Sequence, residues 1–256
     1  MAPKNAGRGG PAIGGTIMIY PSIFIAALLA GLVQGVTGFG GGIITMLIFP
    51  MFMSITVGAG VTSALGIALC LSMVIRYWKD VNVKMALLPA VLYNVVSSIV
   101  ISYSVNVDQV LMKKIFGVFL LLLCIYYLFI NKNVQNRTLS LPVSIVCIAI
   151  SATCDGLFGI GGPLMVLYFM SMTTSTHNYL GTMQLFFWTN SMYNTTLRFI
   201  KGILLPEHLV FMAFGVVGIL IGGALAGKIV DRLNVATMRK LIYIMIGFGG
   251  VVNLLG

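Results

Sequence analysis

An all-α polytopic membrane protein made of two inverted repeats is the fold class this sequence predicts, and three observations predict it. Of 256 residues, 59% are hydrophobic and only 8% charged, with a mean hydropathy of +1.06. A soluble domain carries about 25% charged residues. No Asp, Glu, Lys or Arg occurs from Gly9 to Ile75, a run long enough for about three crossings at roughly 20 residues each. The third observation is a duplicated glycine cluster. Gly35-Val36-Thr37-Gly38-Phe39-Gly40-Gly41-Gly42 returns as Gly156-Leu157-Phe158-Gly159-Ile160-Gly161-Gly162-Pro163, at a constant offset of 121 residues. Both charge-poor runs also end alike, in Arg76-Tyr77-Trp78-Lys79 and Arg198-Phe199-Ile200-Lys201.

Residues 1–16 are polar and glycine-rich and read as a flexible tail. The apolar run that follows shows no obvious cleavage site, so the first segment is expected to be retained. The first repeat takes residues 17–130. Its first helix is predicted from Ile17 to Gln34, entering the glycine cluster, and a short second helix from Ile43 to Met53. At 1.5 Å per residue that second helix covers about half a bilayer, so the pair forms a hairpin tipped by glycines, broken or re-entrant. Crossings follow over Val57–Tyr77, Met85–Tyr103 and Val110–Ile130. Residues 131–140 are a polar linker too short to separate independent domains, which makes the chain one transport unit. The second repeat, residues 141–256, follows the same plan. Leu141–Ala152 leads into the second glycine cluster, and Leu164–Met172 returns. Tyr179–Phe199, Leu209–Ile229 and Met238–Leu255 supply the crossings.

Parity makes the repeats inverted. A hairpin plus three crossings is an odd count whether or not the hairpin spans, so the second half starts on the opposite side. Counting Lys and Arg per side favours the face bearing Arg76, Lys79 and Lys228 as cytoplasmic. Gly31 and Gly35, Gly218 and Gly222, and Gly223 and Gly227 are each four apart, a spacing that lets helices approach closely in lipid.

The net charge of +10 comes from Lys and Arg in short connections, where they set orientation, so no nucleic-acid partner is expected. The lipid bilayer is the expected surrounding, and the cell membrane the expected location. Cys70, Cys124, Cys147 and Cys154 form no CxxC pair, His177 and His208 stand at no ligand spacing, and no metal or cofactor is predicted. Neither HExxH nor G-x-S-x-G is present, which leaves an intramembrane enzyme without a catalytic constellation.

Glycine costs a helix roughly 1 kcal/mol per residue against alanine, so each cluster breaks the backbone. The bland reading is a tight turn between packed helices. The functional reading is that the break exposes N–H groups at the start of each short helix, where about half a positive charge accumulates. That reading places a small anion against Gly38, Gly40, Gly41 and Gly42, and against Gly159, Gly161, Gly162 and Pro163. Two copies of G-x-x-G-x-G-G-G/P about 120 residues apart, each followed by an apolar segment and a Thr-containing crossing, resemble the TauE/SafE sulfite exporter family. That resemblance covers nearly the whole chain. It implies a secondary transporter of small sulfur-containing or organic anions such as sulfite or sulfonates. The second copy departs from the pattern at Pro163 and at Asp155.

Asp155 is the sole acid between Thr138 and Leu197. Ionisable residues inside a membrane are functional by default, so Asp155 is the candidate for H⁺ or Na⁺ coupling; a structural role beside Arg198 or Arg76 is the alternative. Gln34 holds its place in the first copy. Thr62 in one half, and Thr182, Gln184 and Asn190 in the other, are candidate substrate ligands or interhelical glue. Arg76 and Arg198 are candidates for attracting anions at the two mouths, or for snorkelling to the interface. An anion carrier is therefore the leading reading, with an anion channel or a non-transporting assembly subunit as alternatives.

Overall fold

The computed structural model describes residues 13–125, 139–173, 175–229 and 251. The predicted tail up to residue 12, most of the linker and all but one residue of the last predicted crossing lie outside these. Among the described residues every regular element is helical. In chain order they are α1 (Ile13–Thr37), α2 (Gly41–Ile48), α3 (Ile55–Arg76), α4 (Val83–Ser104), α5 (Gln109–Ile125), α6 (Leu141–Phe158), α7 (Gly162–Met172), α8 (Thr176–Ile200) and α9 (Leu209–Ile229).

Five of the starts have a local cause. The side chain of Ser54 accepts from Val57 N at the head of α3, Asn82 from Met85 N at the head of α4, and Ser175 from Asn178 N at the head of α8. Pro stands at the first turn of both α6 and α7, where its missing N–H leaves nothing unsatisfied. Two boundaries move from their expected places. α6 runs through Asp155 and Gly156 to Phe158, and α1 likewise continues to Thr37, so the first glycine of each cluster is helical. The backbone turns about three residues later, at Gly38 to Gly40 and Gly159 to Gly161. Gly38 (φ 81°), Gly40 (φ 92°) and Gly159 (φ 66°) occupy the left-handed region, which a side chain on Cβ disfavours.

Five described helices are long and apolar enough to cross a membrane, within α1, α3, α4, α6 and α9. α8 has 25 residues but carries its polar side chains inward, with Thr182, Gln184, Asn190, Asn194 and Arg198 all buried. It is enclosed by α3 and α4, so its polar stripe meets protein instead of lipid. The leading helix of each half lies along the fourth helix of the other, α1 on α9 and α6 on α4. α3 and α8 cross between them and run in opposite directions. The end of α3 meets the start of α8, where Asn178 donates to Asp80 O at 2.7 Å, and Arg198 near the end of α8 donates to Thr56 O at the start of α3.

The α1–α9 seam is made of small residues, as their spacing of four predicts. A Cβ on Gly218 would lie 2.5 Å from Phe24 O, and those on Gly222 and Gly31 would overlap the Leu28 and Ile219 carbonyls. Backbones this close leave no room for a branched side chain. Gly31→Val is expected to lower unfolding stability in detergent by at least about 1–3 kcal/mol, the range for overpacking. Stability equal to wild type would mean that α1 and α9 stand further apart.

Candidate functional site

The two breaks face each other. A Cβ on Gly42 would sit 2.5 Å from Gly159 O, and one on Gly162 would sit 3.1 Å from Phe39 Cβ. Between them lies a cavity of about 60 Å³, bordered by Gly40, Gly42, Gly159, Gly161, Gly162 and Pro163 from the breaks. Thr62 and Ser63 of α3, Asn190 and Ser191 of α8, Asp155 of α6 and Gln34 of α1 complete its polar wall, with Cys70, Phe39, Ile43 and Phe187 on apolar sides. Gly66 lets α3 approach α8 here, since a Cβ on it would lie 2.9 Å from Ser191 Oγ.

Both short helices begin at this cavity and neither has a side-chain cap. Their first N–H groups and dipole ends therefore supply positive potential without a formal cation. Asn190 is 2% exposed, and neither its Oδ1 nor its Nδ2 has a partner among the described residues. A buried amide left unpaired costs about 1–3 kcal/mol, and Asn190 lies where a ligand or water in the cavity can reach it. Thr62 shares a 2.8 Å hydrogen bond with Thr45, whose hydroxyl also reaches Gly41 O and Gly42 O in the first turn of α2.

Asp155 borders the cavity inside a network of donors. Asn194 Nδ2 donates to Asp155 Oδ2 at 2.7 Å, and Ser97 Oγ donates to Asn194 Oδ1 at 3.0 Å, which fixes the orientation of the amide. The Tyr93 hydroxyl lies within hydrogen-bonding reach of the same carboxyl and of Ser151 O. Gln34 stands at the matching place in the first half. Its Nε2 donates to Gln184 Oε1 at 3.1 Å, and Gln184 Nε2 donates to Gly38 O at 2.6 Å.

The remaining expected residues lie off the cavity. Gln184 and Gly38 brace the first break from behind. Gly41 packs on Gln34, where a Cβ would overlap Oε1. Thr182 sits nearer the α3–α4 turn and accepts from Asn82 N at 3.0 Å. The two arginines part company. Arg76 is exposed at the end of α3, against the backbone of Gly227. Arg198 is fully buried, and its guanidinium donates to Thr56 O, Asp155 O and Gly156 O at 3.3, 3.1 and 2.8 Å. Tyr93 escaped the sequence reading altogether. A tyrosine in the middle of a crossing was its only signal, and ten tyrosines are present.

Two uncapped helix starts thus meet at one cavity that carries polar groups on its wall. The model of the sulfite exporter TauE/SafE family matches residues 23–252. The chain belongs to this family. It is accordingly a multi-pass membrane protein of a transporter family. Among curated proteins the chain is similar to a "Probable membrane transporter protein" of Methanocaldococcus jannaschii, 28% identical over 169 residues. That alignment covers 61% of this chain and 63% of the archaeal protein, just under two thirds of its length. No solved structure matches the chain.

Proposed function

We propose that this TauE/SafE member is a secondary carrier for compact anions, working by alternating access between inverted halves. The observation that carries this reading is Asn190, buried and unpartnered, in a cavity onto which two uncapped helix N-termini open. The opposite run of α3 and α8 supports the inverted relation. The substrate would lie against the N–H groups after Gly40 and Gly161, oriented by Asn190 and Thr62, with Asp155 as the coupling residue.

Size narrows the cargo. A water-sized sphere takes up about 10–15 Å³ of such a cavity, so 60 Å³ suits about four to six heavy atoms. That fits sulfite, or the head of a small sulfonate, in preference to an aromatic sulfonate. The family description names sulfite export, and the cavity is compatible with it. The direction of transport is then set by the gradients across the cell membrane.

Asn190→Leu tests the assignment. Leucine replaces an amide whose two polar atoms have no partner, so unfolding stability is expected to stay level or rise. Sulfite and methanesulfonate flux into proteoliposomes should fall by at least tenfold, about 1.4 kcal/mol of binding. Unchanged flux with a stable protein would remove Asn190 from the site. Discrete single-channel currents in a planar bilayer would favour a channel over a carrier.

A further inference from the structure

Broken-helix carriers commonly hold a coupling Na⁺ on backbone carbonyls released where the helix unwinds. Here several carbonyls at and just before the breaks already accept hydrogen bonds. At the first break Gln34 O accepts from Gly38 N at 2.7 Å, Gly38 O from Gln184 Nε2, and Phe39 O from Thr37 Oγ1 at 2.6 Å. At the second break Asp155 O accepts from Gly159 N at 2.8 Å and from Arg198, which also takes Gly156 O. The guanidinium of Arg198 thus brings a fixed positive charge to the last turn of α6, next to the second break.

The Asp155 carboxyl is likewise surrounded by donors. Asn194 presents its N–H₂ because Ser97 holds its oxygen, and Tyr93 presents a hydroxyl. Na⁺ needs several oxygen lone pairs; the side chains that reach this carboxyl directly are N–H and O–H donors. The charged and titratable groups facing Asp155 are Arg198 from α8, Tyr93 from α4, Cys70 from α3 and Cys154 on its own helix. Arg198 supplies one positive charge and Asp155 one negative. An anion entering the cavity that Asp155 borders adds a second negative charge within a poorly solvated space.

We propose that Asp155 binds a proton together with the anion, so that the cargo is one anion plus one proton and Na⁺ takes no part. The inference rests on the carrier reading above. An O–H bond forms on the carboxyl with a proton taken from water on the loading side. The neutral acid then adds a donor to the site in place of a repelling charge. On the opposite side anion and proton leave together, and a monovalent anion crosses without net charge movement. Binding is reciprocal, so a proton strengthens anion binding by the same factor as the anion strengthens proton binding.

Calorimetry with methanesulfonate, whose charge is constant near neutral pH, tests this on the purified full-length protein. Titration in two buffers of different ionisation enthalpy counts the protons. About one proton should be taken up per anion, and affinity should weaken by about tenfold per pH unit once Asp155 is ionised in the free protein. Exchanging Na⁺ for choline should change nothing. Asp155→Asn should take up no proton and lose the pH slope. Binding without proton uptake in the wild type, or binding that requires Na⁺, would overturn the proton assignment and leave the carrier intact. Absence of methanesulfonate binding at every pH would overturn both. The wild-type proton count stands without the variant, should Asp155→Asn fail to fold.

Discussion

Gly161→Ala is expected to abolish most transport while the protein remains folded in detergent. Gly161 has φ −102°, a conformation open to alanine, so backbone strain plays no part. The obstacle is steric. A Cβ at this position would overlap the Tyr93 hydroxyl and would lie 3.1 Å from Asp155 Cβ. Either Tyr93 moves and gives up its contacts with Ser151 O and Asp155, or the start of α7 moves away from the cavity. Both displace the groups proposed to receive the anion. A misplacement of about 1 Å is enough to cost a hundredfold in a preorganised site. Removing the obstructing oxygen should relieve part of the defect, so Gly161→Ala with Tyr93→Phe is expected to regain flux over Gly161→Ala alone. Proteoliposome flux, with thermal unfolding as the control for folding, measures this. Full flux in Gly161→Ala would overturn the placement of the α7 tip at the substrate.

Arg198→Met is expected to be the most destabilising single change, by about 3–5 kcal/mol, the range for removing one partner of a buried charged arrangement. Three carbonyls, on Thr56, Asp155 and Gly156, lose their donor, and the Asp155 carboxylate loses its nearest positive charge. Lysine is expected to recover only part of this. Its single ammonium cannot reproduce the planar fork that spans two helix ends. Arg76→Met, exposed at the opposite face, should stay within about 0.5 kcal/mol. Chemical unfolding of both variants in detergent gives the comparison. Similar losses for the two would mean that Arg198 is not buried as described.

These two arginines show where sequence reading stops. Each ends a crossing, each is followed by an aromatic residue and then a lysine two places on, and the local pattern treats them as equals. Their difference comes from the turns that follow. After α8 the chain folds Leu204 into the core, so that a Cβ on Gly60 would lie 2.8 Å from Leu204 Cδ2 and 3.2 Å from Arg198 Cδ. The turn after α3 instead packs on the start of α8 through Asp80 and Asn82, and Arg76 is left outside. Thr182 and Gln184 have the same history. Both are polar and buried on α8, and only the neighbouring helices decide that one caps a turn and the other braces the first break.

What the sequence by itself determined is the part governed by solvent and by backbone sterics. Long charge-free runs allow no partner but lipid, and each becomes helix because its backbone must satisfy its own hydrogen bonds. Glycine clusters at a fixed offset locate both breaks, and small residues four apart mark helix faces fit for close packing. Tertiary structure alone decided which polar side chains share the cavity. Gln34, Asp155, Thr62 and Asn190 come from four helices far apart in the chain. Their meeting depends on how the two halves interlock, with α1 on α9 and α6 on α4. The same packing puts Arg198 on the carbonyls at the end of α6, because a guanidinium in that space is held by three backbone oxygens at once, Thr56 O of α3 among them.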